Sequence, residues 1–221
     1  MPLRRALISL LLVIFLGTLA DAQDARTESS PAPNSDGVTL GILVDCSGTQ
    51  RLQLENTLSA VKQLSETIGE NDRAFVVRFV DAGKFSVVQE FTNNKDEIND
   101  SGDDLYIEGG MTAIIDAVDR SARYVKKNGS NLPPNRAFVL ISDGEDQGSG
   151  RKIEDTIALL KENQIKVFAI GISDLKVSTK LLDRFTKESG GRMFLPRTTA
   201  ELSNAVITIA KLMRGATAAA K

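Results

Sequence analysis

The 221-residue sequence contains no histidine and no tryptophan, a single cysteine, and few aromatic residues, 5% of the total. Without histidine there is no Ser-His-Asp triad, no Cys-His dyad, no imidazole proton shuttle and none of the usual zinc sites. One cysteine excludes an intramolecular disulfide framework. An excess of positive charge is missing too. Lys and Arg number 27 against 29 Asp and Glu, a net charge of −2, so no global basic field draws nucleic acid. Carboxylates, hydroxyls and backbone groups are what remain for chemistry. The hydrophobic share of 42% and the charged share of 25% are those of an ordinary soluble domain. A chain of this length buries enough core to need neither disulfides nor structural zinc.

Long apolar runs are scarce as well. One run, Ala6 to Ala20, follows Arg4 and Arg5 and leads into Ala20-Asp21-Ala22, the order of a secretory signal peptide with cleavage before Gln23. The run is shorter than the ~18 residues a spanning helix prefers. A cleaved signal is therefore expected, with a secreted or periplasmic location and no membrane span afterwards. Residues 23–36 (QDARTESSPAPNSD) are polar and rich in Ser and Pro, and read as a flexible linker. The expected organisation is a signal peptide (1–22), a linker (23–36), one folded domain (37–215) and a tail (216–221).

Within the domain, apolar runs alternate with helical patterns. Val38 to Val44, Ala74 to Val80, Ala137 to Ser142 and Ile165 to Ile172 read as buried strands, and Met193 to Leu195 as a short last one. Phe85 to Phe91 follows Ala74 to Val80 across a turn too short for a parallel crossover, so that pair is expected to be antiparallel. Leu54, Leu58, Val61 and Ile68 fall on one helical stripe. Similar stripes run through Ile114, Val118 and Val125, through Ile153, Ile157 and Leu160, through Leu181, Leu182 and Phe185, and through Leu202 to Leu212. The fold class is α/β, a doubly wound and mostly parallel sheet with one antiparallel edge strand and helices on both faces. Ligands in such sheets sit beyond the carboxyl ends of the strands, where the strand order reverses.

Three polar segments fall at that edge: Asp45-Cys46-Ser47-Gly48-Thr49, the loop Ile107-Glu108-Gly109-Gly110-Met111-Thr112, and Asp143-Gly144-Glu145-Asp146. The spacing of Asp45, Ser47 and Thr49 aims alternate side chains at one point as strand becomes loop, while Cys46 turns away to pack as a small hydrophobe. With Thr112 and Asp143 these make three hydroxyls and two carboxylates. An all-oxygen set suits a hard divalent cation, Mg2+ above all, with Mn2+ and Ca2+ as the other candidates. Gly48, Gly109 and Gly110 are expected to allow close backbone approach and positive φ. Glu145 and Asp146 do not fit calcium-loop spacing and read as a solvated acidic loop, and Asp116 as a helix-dipole partner with no role in the site.

These segments, GILVDCSGTQ, GGMTAIIDAV and FVLISDGED, resemble those of the von Willebrand factor type A domain in its metal-ion-dependent adhesion site form. The resemblance covers about residues 37 to 215 and looks closest to exported bacterial members. It implies a metal site of Asp45, Ser47 and Thr49 (Thr where the family usually has Ser), with Thr112 and Asp143. It implies hydroxyls on the cation, carboxylates acting largely through water, and one open position filled by the Asp or Glu carboxylate of a protein partner. The implied function is metal-dependent protein binding with no reaction step; nothing in the sequence suggests obligate assembly, so a monomer is expected.

Two alternatives stand beside it. GILVDCSGT also resembles the motif of haloacid-dehalogenase-type phosphatases, with Asp45 as nucleophile, but Ser47 replaces the acid that protonates the leaving group. The other is a domain of the same fold whose metal site is vestigial and which binds by surface patches.

Overall fold

The computed structural model describes residues 37–215; the expected signal peptide, linker and tail lie outside them. The apolar runs form strands β1 (Val38–Asp45), β2 (Arg73–Phe79), β3 (Phe85–Thr92), β4 (Asn135–Ser142), β5 (Ile165–Gly171) and β6 (Met193–Phe194). They form one sheet in the order β3-β2-β1-β4-β5-β6, parallel throughout except for the β2–β3 hairpin at one edge. The helices are α1 (Leu54–Ser65), α2 (Lys95–Asp100), α3 (Ile114–Asn128), α4 (Ile153–Glu162), α5 (Thr179–Ser189) and α6 (Thr199–Met213). Among the described residues no helix is long and apolar enough to cross a membrane.

Strand β1 is buried at every position because sheet neighbours flank it and helices cover both faces. Its alternate residues Leu40, Ile42 and Val44 pack with α1, α2 and α6 on one face. Leu43 joins Phe75, Phe138 and the apolar sides of α3, α4 and α5 on the other. Between those rings Gly41 has no room for a side chain: a Cβ there would lie 2.7 Å from both Phe75 and Phe138.

Local chemistry departs from the sequence pattern in a few places. A tight 3-10 stretch, Gly48–Gln53, precedes α1, and the helix ends at Ser65, so Ile68 is buried from the following turn rather than from the helix. Helix α2 carries no apolar periodicity, since Ile98 is its one buried residue. Gly48, Gly109 and Gly110 do not take positive φ; Gly110 alone of the three is crowded, 2.5 Å from Asp81 Oδ2 as measured from a Cβ placed on it.

At the amino edge of the sheet one buried carboxylate gathers distant parts of the chain. Asp72 accepts from the backbone N–H groups of Val38 and Gly69, both at 2.8 Å, and pairs with Arg214 just past the end of α6. The chain therefore enters and leaves the domain at the same pole. The strand ends that carry Asp45 and Asp143 lie at the other.

Candidate metal centre

The strand order reverses between β1 and β4: the chain moves from β1 to β2 on one side and returns through α3 to β4 on the other. Asp45 closes β1 and Asp143 follows β4, so both carboxylates stand at that seam. Both are buried, as are Ser47 and Thr112, whereas Thr49 is exposed on the 3-10 turn.

Asp45 is fixed at both carboxylate oxygens. Ser47 N–H donates to Oδ1 at 3.0 Å and the Ser142 hydroxyl donates to Oδ2 at 2.7 Å. The Ser47 and Thr49 hydroxyls lie 3.1 Å apart and share a hydrogen bond, so the alternate residues converge as their spacing predicts. Asp143 Oδ1 accepts from Glu145 N–H at 3.0 Å. The turn after it depends on Gly144 at φ 82°, where a Cβ would lie 2.1 Å from the Ser178 carbonyl.

Thr112 reaches the seam on a loop held from three directions. Glu108 N–H donates to the Cys46 carbonyl and Ala113 N–H to the Val80 carbonyl, each at 2.9 Å. The Thr112 carbonyl itself accepts from Gln147 and Gly148 N–H, both at 2.9 Å. The three sequence segments are thus laced to one another by main-chain bonds. The Thr112 hydroxyl makes no hydrogen bond with the other four side chains among the described residues.

Burial pushes the Asp45 carboxyl up to about 6, with repulsion from Asp143 adding to it; the bonds from Ser142 and Ser47 act the other way. Among the described residues neither Asp45 nor Asp143 pairs with a Lys or Arg. Two neighbouring carboxylates out of solvent with no basic partner form a site deficient in positive charge. No cluster of three Cys, Asp or Glu side chains suited to a metal occurs among the described residues. The donor set at the seam is of another kind, two carboxylates and three hydroxyls, which is the chemistry of Mg2+ rather than of zinc. On donor type, burial and unmet charge these residues fit a hard divalent cation.

Nearby groups are already engaged. Buried Arg78 donates to the Tyr106 carbonyl at 3.1 Å and to Glu108 at 2.9 Å, with Tyr106 stacked on the guanidinium at 3.8 Å. Lys84 holds the other Glu108 oxygen at 3.0 Å, and the two cations keep that carboxyl below its usual range. Cys46 is fully buried in the core, and burial raises its thiol to about 12, in keeping with packing rather than chemistry.

Three contributors escape sequence reasoning. Ser142 orients Asp45 and also accepts from Gly144 N–H at 3.0 Å; its signal is a polar residue at the end of an apolar strand. Asp146 is not merely solvated. It caps α3 from another segment, accepting from Ile114 N–H at 2.6 Å, Ile115 N–H at 3.3 Å and the Ser149 hydroxyl at 2.6 Å. Asp116, one turn into α3, returns the clip by accepting from Gly150 and Arg151 N–H at 3.1 and 2.8 Å. Gln50, directly after Thr49, is buried with neither amide atom hydrogen-bonded.

The sequence pattern of the von Willebrand factor type A domain matches residues 40–207. No curated protein sequence matches the chain. Among solved structures, a von Willebrand factor type A protein from Catenulispora acidiphila superposes with a TM-score of 0.66 at 21% identity, over 81% of this chain and 43% of that one. This chain thus spans less than half of that relative. An aerotolerance-related membrane protein from Bacteroides fragilis gives a TM-score of 0.58 at 19% identity, over 80% of this chain and 98% of that one. BatB from Bacteroides thetaiotaomicron gives 0.58 at 17% identity, over 79% and 98%. At these identities the likeness is one of fold.

Proposed function

Since the chain belongs to the von Willebrand factor type A domain family, whose members are generally interaction modules, we propose that it binds a protein partner through a divalent cation, Mg2+ by preference. Ser47, Thr49 and Thr112 would hold the cation through their hydroxyls, and Asp45 and Asp143 largely through water. When bound, the cation supplies a Lewis-acidic charge that an Asp or Glu carboxylate of the partner completes. There is no reaction step, and recognition is the whole activity. The domain acts outside the cytoplasm, exported by its N-terminal signal, as a monomer.

The chain's own groups set the terms. Ser142 and the Ser47 N–H hold Asp45 in one orientation and favour its ionised form. The α3 clip through Asp146 and the Thr112 carbonyl bonds fix the loop that brings the third hydroxyl. Most of the donor set is neutral, which leaves the cation electron-poor toward an incoming carboxylate. One observation carries the reading: Asp45 and Asp143 are buried side by side without a basic partner, the arrangement a bound cation would relieve.

The test is thermal unfolding of the protein in chelator and then in Mg2+, Mn2+ or Ca2+. A ligand that binds only the folded state stabilises it by about 2.7 kcal/mol at a hundred times its Kd. The reading expects such a rise with Mg2+ or Mn2+ and its loss in Asp45→Ala. No rise with any cation at millimolar concentration would remove it.

A further inference from the structure

Exposed large apolar side chains crowd one end of this domain. Leu52, Tyr106, Met111, Leu175 and Leu195 all project from segments at the carboxyl edge of the sheet; Ile207, on the outer side of α6, is the exception. Leu52 follows the 3-10 turn of Thr49 and is 77% exposed, Met111 adjoins Thr112 and is 63% exposed, and Leu175 is 96% exposed. Single exposed apolar residues need no explanation, but a concentration of them on one face does.

The β5–α5 loop, residues 172–178, links the residues that close β4 to this face. Its two ends are tied to the residues that close β4: Ile172 N–H donates to the Ser142 carbonyl at 3.2 Å and Ser178 N–H to the Asp143 carbonyl at 2.7 Å. On its far side the loop walls a cavity of about 410 Å³ with Leu175, Val177, Leu195 and Pro196 as its apolar lining. Gly171 forms the floor, and the Leu195 and Val177 side chains pack directly on its backbone: a Cβ there would come within 2.5 Å of Leu195 and 2.8 Å of Val177. Lys176 and Arg197 flank the opening, and neither is in an ion pair among the described residues. Asp174 and Glu201 keep their negative charge, but they accept from the Gln53 amide and from the Arg197 backbone N–H at 2.7 Å and form no ion pair with Lys176 or Arg197 among the described residues.

The geometry points to a second anchoring site for the same partner: an extended acidic segment that places one carboxylate at the metal centre and seats a large apolar side chain between Leu175 and Leu195, with a further acidic residue against Lys176 and Arg197. This rests on the metal-dependent reading for the first anchor. The pocket supplies what that anchor lacks, since a carboxylate alone does not distinguish one Asp or Glu from another. Burying one Leu or Phe side chain adds roughly ten-fold or more in affinity.

The test uses fluorescent peptides carrying an Asp, then Leu or Phe followed by Glu at a range of spacings, each matched by a peptide with Ser in the apolar position. Binding to the protein is read by anisotropy in Mg2+. The best apolar peptide is expected to bind at least ten-fold more tightly than its Ser counterpart. Leu175→Ser combined with Leu195→Ser should erase that advantage, Lys176→Glu combined with Arg197→Glu should weaken the peptide, and Ile207→Ser should change nothing. Equal affinity of the paired peptides, absence of binding by any of them, or an advantage that survives the double Ser variant would overturn the pocket. So would self-association lost in Leu175→Ser, because the occupant would then be a second copy of the chain. The two readings fail separately. An apolar advantage that persists in chelator and in Asp45→Ala retains the pocket and removes the cation; metal- and Asp45-dependent binding with no apolar advantage does the reverse.

Discussion

The Ser142 hydroxyl donates to Asp45 Oδ2 at 2.7 Å, joining the last residue of β4 to the last residue of β1 across the seam where the strand order reverses. That one bond orients a carboxylate that the sequence identifies through a residue that it does not.

Ser142→Ala should therefore leave the fold intact and weaken the cation roughly 10- to 100-fold, the usual effect of removing a group that orients a metal ligand. Titration of Mn2+ followed by calorimetry or electron spin resonance measures it. Unchanged affinity would show that Asp45 needs no help from β4.

In the metal-free protein Asp45 makes stability depend on pH. Its carboxyl is raised from 3.8 to about 6 by burial, so the folded state holds the proton more tightly than the unfolded state. Its contribution is fully present below about pH 4 and is lost as pH rises through about 6, at a cost on the order of 3 kcal/mol at neutral pH. In chelator, Asp45→Asn should be the more stable protein at pH 7.5, with the gap closing toward pH 4.5. Urea titrations at the two pH values decide it, and a gap independent of pH would refute the assignment.

Asp146→Ala removes the cap that α3 receives from another segment and should cost about 1 to 2 kcal/mol. Amide exchange at Ile114 and Ile115 should accelerate more than at the α3 C-terminus. Cation affinity should fall as well, because Thr112 sits immediately before the loosened turn. A stability loss spread evenly over the molecule would contradict this.

Gln50 and Thr57 have buried side-chain atoms without hydrogen-bond partners. Replacing such groups by apolar ones of similar shape removes a desolvation cost of about 1 to 3 kcal/mol. Gln50→Met and Thr57→Val should each raise the midpoint of unfolding, and a fall in either would show that the polar atom is satisfied in solution.

The fold was legible because its four inner strands, β1, β2, β4 and β5, are almost wholly buried. A run such as AFVLI between two sheet neighbours has little choice but to be apolar throughout, and the carboxylates that close β1 and follow β4 stand out against it. Asp45, Ser47 and Thr49 were legible for a related reason, since alternation along an extended chain is itself a geometry. Ser142 and Asp146 were not, because their partners lie 97 and 32 residues away, on other elements. The 3-10 turn after Asp45 and the short helix around Ile98 leave no apolar period, so nothing in the sequence announces them. The left-handed residue of the site proved to be Gly144 rather than Gly48 or Gly109, because the tight turn belongs to the second carboxylate and not to the first.

The Asp72 clasp gives the domain a mechanical polarity. Tension applied between the incoming and outgoing chain meets first at the bonds from Asp72 to Val38 and Arg214, at the amino edge of the sheet. The face that carries Asp45 and Leu175 stands outside that load path. Force on the two chain ends is thus borne at the pole away from Asp45 and Asp143.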